Sequence, residues 1–275
     1  MVQVQHIANT GALLSYEGGS LLVDALYEAI PFAPLTDVPE RRQPQLSFPA
    51  CETLDAMLTG APPFDRIRAY LFTHLHPDHG NVEVIARIAD PSIPVILPAT
   101  ARFEERIRSL PGKKIVLTKP IEKHEIGEVS LTAIRTEHDG GLPFALESYA
   151  FLIEFPAYTV FMAGDAKLED ENLCTALLDF VQGGVTRGGQ IGAAFLNYPE
   201  ISRVQGRKFI TEILRPGRLF LTHLPPEVPG EKRNTGSLDR SLERYGAALP
   251  PITLLDSAGA AIILQKRRLP VGNGI

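Results

Sequence analysis

The order of apolar runs along this chain constrains its fold more than any other feature. Val2–Ala8, Gly11–Tyr16 and Ser20–Asp24 read as successive short strands, with Glu17-Gly18-Gly19 as a hairpin turn. Strand and helix patterns then alternate: a helix over Thr53–Thr59, a strand over Ala69–Thr73, a helix over Val82–Ala89, a strand over Pro94–Leu97 and a helix over Ala99–Ser109. The second half repeats the alternation. Strands are predicted at Lys114–Thr118, Val129–Arg135, Tyr149–Phe155 and Tyr158–Ala163, and a helix at Glu171–Val181. A strand at Ala193–Leu196, a helix at Val204–Leu214, a strand at Leu219–Thr222, a helix near Leu238–Tyr245 and strands at Ile252–Leu255 and Ala260–Leu264 complete the order. An α/β chain that starts each half with hairpins and continues in alternation packs as two sheets with helices outside.

No shift in composition marks a domain boundary, so residues 1–265 read as one domain of two similar halves, with 266–275 as a loose tail. The alternation breaks at 27–49, where five prolines (31, 34, 39, 44 and 49) spell a long loop of the kind used as a lid or binding segment. With Lys plus Arg at 27 and Asp plus Glu at 32, the formal net charge is −5, which disfavours a nucleic-acid backbone as partner. No apolar run is long enough to span a bilayer, so no membrane partner is expected. The opening Met-Val-Gln-Val-Gln-His has neither the charged nor the apolar part of a signal peptide. Cys51 and Cys174 are far apart and read as two buried free thiols. Together these features point to the cytoplasm.

Chemistry concentrates in Thr73-His74-Leu75-His76-Pro77-Asp78-His79-Gly80. Three of the seven histidines and a carboxylate fall in one loop, directly after the apolar run Ala69–Thr73. Imidazole nitrogen and carboxylate oxygen are donors that zinc, iron and manganese accept. Spacing by two lets His74 and His76 turn toward one ion, while Asp78 and His79 can address a second. Pro77 and Gly80 suit so tight a turn. A solvated, histidine-rich loop would account for a lone H-x-H, but not for the whole H-x-H-x-D-H string after a buried strand.

This string resembles the signature of the metallo-β-lactamase superfamily, whose members share an αββα sandwich with one or two metal ions between the sheets. The resemblance calls for three further ligands at strand ends, and each has a match. His138 stands in R-T-E-H-D-G, Asp165 in F-M-A-G-D-A and His223 in L-F-L-T-H-L-P. It implies that His74, His76 and His138 hold one ion, that Asp78, His79 and His223 hold the other, and that Asp165 bridges them. Two divalent ions, offset by Asp78, Asp165 and a hydroxide, leave a site of about +1 that suits an anionic or oxyanion-forming substrate. Zinc is the first expectation; manganese and iron fit the same donors. No G-x-S-x-G elbow suggests a serine nucleophile instead.

Departures narrow the branch. Resistance-type β-lactamases carry cysteine at the position of Asp165, and flavodiiron reductases carry glutamate at that of His76. The ligand set resembles that of glyoxalase II, lactonases, phosphodiesterases and ribonuclease Z-like enzymes, and H-I-A-N-T-G-A-L-L-S-Y-E-G-G-S-L-L-V-D-A-L (residues 6–26) is similar to the branch of ascorbate-6-phosphate lactonase and uncharacterised bacterial hydrolases. The expected function is therefore a dinuclear metal-dependent hydrolase of a small, anionic ester, lactone or phosphoester, with Asp78 and Asp165 as catalytic carboxylates. Two alternatives stand beside it: a phosphodiesterase or nuclease using the same ions, and a metal-binding sensor or scaffold without catalysis. A homo-oligomer is compatible with either.

Around the ligands, Asp24 ends an apolar strand and can orient a ligand histidine or simply cap the strand. Tyr198, Arg203 and Arg233 are candidate substrate contacts, against the plainer reading of solvated loop residues. His6 and His124 match no ligand position and read as structural or surface residues. Asp139 reads as a turn residue.

Overall fold

The computed structural model describes residues 1–28, 47–139, 147–182, 190–225, 235–256, 258–259 and 261–264. Most of the Pro-rich segment (29–46), Arg233 and the tail 266–275 lie outside them. Strands β1 (Val2–Ala8), β2 (Gly11–Tyr16) and β3 (Gly19–Val23) form an antiparallel meander. Helix α1 (Cys51–Thr59) leads to β4 (Ile67–Leu71), which lies parallel to β3. Helix α2 (Val82–Ile85), β5 (Val95–Leu97), helix α3 (Glu105–Ser109) and β6 (Lys114–Val116) follow. The second sheet begins with the antiparallel strands β7 (Ile121–Ile126), β8 (Val129–Thr136), β9 (Ser148–Phe155) and β10 (Tyr158–Met162). Helix α4 (Glu171–Gln182), β11 (Ile191–Asn197), helix α5 (Val204–Lys208), β12 (Leu219–Thr222), helix α6 (Gly236–Tyr245), β13 (Ile252–Leu254) and β14 (Ala261–Leu264) complete the order.

Among the described residues two seven-stranded sheets form, ordered β14-β1-β2-β3-β4-β5-β6 and β13-β12-β11-β10-β9-β8-β7. The last strand thus crosses back to pair with the first. Successive side chains on a strand point to opposite faces, and the burial of β9 shows what that does here. Phe151, Ile153 and Phe155 enter the core between the sheets with Leu14, Leu21 and Leu71, while Ala150 and Leu152 face the outer layer of α4 and α6. On the opposite side, Leu54, Met57 and Leu58 of α1 pack with Val84, Ile85 and Ile107 on Leu13, Leu22 and Tyr70. Both sheets are covered on both faces, giving the expected αββα order of layers. Removing a ring such as the fully buried Phe151 would cost about 3–5 kcal/mol.

The structure corrects several local expectations. Strand β7, I-E-K-H-E-I, escaped the sequence reading because it is an edge strand whose exposed and half-buried positions alternate, leaving only Ile126 buried. The helix expected over Ala99–Ser109 is a 3-10 turn and the short α3, separated by extended backbone at Glu104. Its buried positions, Ala99, Ala101 and Ile107, do not recur at helical spacing. Helix α2 stops at Ile85 instead of Ala89: Arg87 and Ile88 close tighter turns, and the Ala89 N–H donates to Leu58 O instead. Over Val204–Leu214 the expected helix changes to π-helical winding after α5, at Phe209–Leu214. Both cysteines are free, but Cys51 is exposed on the first turn of α1 and Cys174 only half-buried, so neither is the buried thiol expected.

Candidate metal centre

Every one of the seven candidate donors sits at the carboxyl end of a strand or just beyond it, on one rim of the two sheets. The loop after β4 turns sharply because the His76 carbonyl accepts from both the His79 and Gly80 N–H groups, each at 3.0 Å. Gly80 has no room for a side chain: a Cβ there would meet the Phe72 ring at 2.5 Å. Leu26 bridges to Gly80, and the Asn81 side chain then caps α2 through the N–H groups of Glu83 and Val84. On the second sheet, His138 and Ala166 form an antiparallel bridge, and the Asp139 N–H donates to the Asp165 carbonyl at 2.8 Å. His138 and Asp165 are thereby held side by side. The Tyr149 N–H donates to Thr73 O at 2.9 Å, fastening the second sheet to the first beside the motif.

Donor atoms converge in two groups. In the first, His76 Nδ1 lies 3.0 Å from His74 Nε2 and 3.1 Å from His138 Nε2. Asp165 Oδ2 completes it at 3.8 and 3.4 Å from the same two Nε2 atoms. In the second, Asp78 Oδ2 lies 3.1 Å from His223 Nε2 and 3.9 Å from His79 Nε2. Asp165 Oδ1 stands 3.3 Å from His79 Nε2 and 3.7 Å from His223 Nε2. The two oxygens of Asp165 are thus divided between the groups. Tetrahedral ligands about 2.1 Å from an ion lie about 3.4 Å from one another, close to the spacings found here.

The surroundings fix which nitrogen each ring offers. Asp24 Oδ2 accepts from His79 Nδ1 at 3.0 Å, leaving Nε2 to face the carboxylates. The Thr73 hydroxyl donates to the same Asp24 oxygen at 2.7 Å, so its lone pair can accept from His74 Nδ1 at 3.1 Å and leave that ring's Nε2 free. Thr10 Oγ1 adds a contact of 3.2 Å to His79 Nδ1. His79 Nε2 is buried with no well-directed hydrogen bond, although three carboxylates surround its ring. An orphaned, buried ring nitrogen in a cage of carboxylates suits a bound cation.

Charge behaves accordingly. Burial, with the neighbouring His79, pushes the His74 pKa well below that of a free imidazole. Burial opposes the His79 cation too, but Asp165, Asp24 and Asp78 outweigh it and hold its pKa well above the ordinary value. Burial would raise the carboxyl pKa of Asp78 and Asp165, yet His79 and the other rings bring both below the usual range. One proton on His79 stands where positive charge is wanted.

Two asparagines outside the predicted ligand set each hold one of the carboxylates. Asn9 Nδ2 donates to Asp78 Oδ2 at 2.9 Å, and Asn197 Nδ2 donates to Asp165 Oδ1 at 2.8 Å. Asn9 sits at φ 47°, a left-handed turn, and Asn197 in the segment already singled out by Tyr198. The turn tendency of asparagine was the sole signal for the first.

Among the second-tier residues, Tyr198 packs its ring on the outer core beneath α4 and α6. Arg203 is 44% exposed at the rim, and its Nη1 contacts both Asp139 Oδ2 (2.5 Å) and Glu200 Oε1 (3.0 Å). Burial raises the Glu200 carboxyl to about 7. His6 is buried beside Asn9 O (3.1 Å), and His124 lies on β7 next to Glu122. Arg233 is outside the described residues.

No family model matches the sequence, and no curated protein does. Solved structures do. A possible metal-dependent hydrolase from Veillonella parvula superposes with a TM-score of 0.68 at 14% identity, over 95% of this chain and 99% of that one. The metallo-β-lactamase fold protein YhfI from Bacillus subtilis gives 0.60 at 15%, over 95% and 98%. CmlA, a diiron β-hydroxylase from Streptomyces venezuelae, gives 0.63 at 15% identity over 96% of this chain, which spans only 54% of CmlA's length. The chain has the metallo-β-lactamase fold.

Proposed function

We propose that this protein is a metal-dependent hydrolase that holds two divalent ions on His74, His76, His138 and Asp165 and on Asp78, His79, His223 and Asp165. The observation that carries the reading is the convergence of seven donor residues into two groups, with the two oxygens of Asp165 divided between them. Ions bound there would supply Lewis acidity and a water that ionises near neutral pH, enough to cleave an ester, lactone or phosphoester without a side-chain nucleophile. The protein's part is orientation: Asp24 and Thr73 present Nε2 of His79 and His74, and Asp165 sets the spacing between the two groups. Arg203, paired with Asp139 next to His138, would offer its remaining guanidinium N–H groups to an anionic group on a small substrate. The imidazole-rich first group favours zinc, and the diiron protein of the same fold keeps iron in view. Unpaired Cys51 and Cys174 favour a reducing compartment, the cytoplasm. No helix among the described residues is long and apolar enough to cross a membrane.

Metal analysis of protein purified without added metal, with a panel of lactone, thioester and phosphodiester substrates, tests the reading. Two ions per chain and turnover that a chelator removes and zinc restores are expected. A chain that takes up no metal, or hydrolysis indifferent to the chelator, would overturn it.

A further inference from the structure

The two donor groups differ in one respect. Among the described residues, the first group's donor atoms contact only one another, with no amide donor on Asp165 Oδ2. In the second group both carboxylate oxygens already accept an asparagine N–H: Asp78 Oδ2 from Asn9 and Asp165 Oδ1 from Asn197. Amide orientation is fixed by chemistry, since an ionised carboxylate accepts only and each contact must run through Nδ2. Asn197 is itself held, its Oδ1 accepting from the Thr222 hydroxyl at 3.2 Å. Asn9 is held by backbone: its carbonyl accepts from the His223 N–H at 3.4 Å, so the same residue touches two members of the second group. Its Nδ2 also lies 3.4 Å from His223 Nε2.

We infer that Asn9 and Asn197 are positioning residues chiefly for the second ion, aiming Asp78 Oδ2 and Asp165 Oδ1 at the place between His79 and His223. This rests on the two-ion reading proposed above. Without these donors, only ring nitrogens of the ligand histidines would face Asp78 and Asp165, and the ion would have to order both carboxylates against rings that it must itself recruit. The first ion needs no such help, because three rings already meet within about 3 Å. The two places are therefore graded: one built from converging rings, the other from carboxylates steered by amides.

Stepwise titration with Co(II), followed by its visible absorption and by metal content after dialysis, reads the two ions separately. A His76→Ala variant marks the band that belongs to the first group. The test variants are Asn197→Ala, at an extended backbone position that admits any residue, and Asn9→Gly, which suits the left-handed φ. Thermal melts of the metal-free proteins establish that each folds. Each variant should weaken the second step about 10-fold or more and move the first less than about threefold. An unchanged second step in both variants, or equal weakening of both steps, overturns the inference. Uptake of fewer than two ions by the unaltered protein overturns the two-ion reading itself, and this inference with it.

Discussion

Asp24 and Thr73 stand at the ends of neighbouring parallel strands, and the carboxylate of one holds the other twice. The Thr73 N–H donates to Oδ1 at 2.8 Å and its hydroxyl donates to Oδ2 at 2.7 Å. Since Oδ2 also accepts from His79, this one side chain, 1% exposed, sets the start of the histidine loop and the tautomer of a ring inside it. Asp24→Ala should lower stability by about 3 kcal/mol or more by leaving a buried partner uncompensated. Asp24→Asn, which keeps the shape, should bind metal about 10–100-fold more weakly. A denaturant melt and a metal titration check the two; normal metal affinity in Asp24→Asn would refute the orienting role.

Asp165→Ala should abolish the sharing of one carboxylate between the groups. Metal content is expected to fall below two ions per chain and hydrolysis to drop by about 1,000-fold or more, with the far-ultraviolet circular dichroism retained. Near-normal turnover with two ions bound would remove Asp165 from its bridging place.

Gly164, immediately before Asp165, has φ 55°, and a Cβ there would come within 2.5 Å of Thr73 Oγ1. Gly164→Ala therefore strains the backbone and pushes on the hydroxyl that serves Asp24 and His74. A loss of about 1–3 kcal/mol is expected, together with weaker metal binding. A melt unchanged from that of the parent would contradict the close approach.

The metal-free protein should be most stable near pH 6.5. His79 has a raised pKa, so its contribution is complete below about 6.5 and is lost as pH rises through the folded value. His74 and His76 have lowered values; below about 6.5 the unfolded chain takes protons that the folded one refuses, and stability falls. Asp78 and Asp165 contribute above about 3.8 and lose their share in stronger acid, as pH falls through their lowered values. Melts of chelator-treated protein across pH 5 to 9 should trace a dome; a monotonic curve would contradict the charge assignment at His79.

His124 offers a control. It lies on the edge strand β7 beside Glu122, outside both donor groups. His124→Ala should leave metal stoichiometry unchanged, and loss of one ion would mean that the ligand set is wrongly drawn.

The sequence was most readable where chemistry is local. His74, His76, Asp78 and His79 share one loop, so their spacing alone announces donors, and His138, Asp165 and His223 each follow an apolar strand. Asn9 carried no such mark, and Asn197, although it follows the apolar run Ala193–Leu196, is not a residue type that metals favour. Asn9 meets Asp78 across 69 residues and Asn197 meets Asp165 across 32, contacts that only the folded sheets create. Strand β7 was hidden for a different reason: an edge position lets charged side chains fill a strand, erasing the apolar alternation that identifies one. Helix limits at Ile85 and Glu104 depend on where single N–H groups find partners, which no periodicity records.

The division of donors between the sheets has a thermal consequence. His74, His76, Asp78 and His79 hang from one sheet, while His138, Asp165 and His223 hang from the other. An ion gripped by both acts as a cross-link between layers otherwise joined chiefly by apolar packing, and the unfolded chain offers it no comparable grip. Its free concentration then sets how much heat the protein withstands: at a hundredfold excess over Kd the gain is about 2.7 kcal/mol. Metal supply would decide how long the molecule survives as well as whether it works.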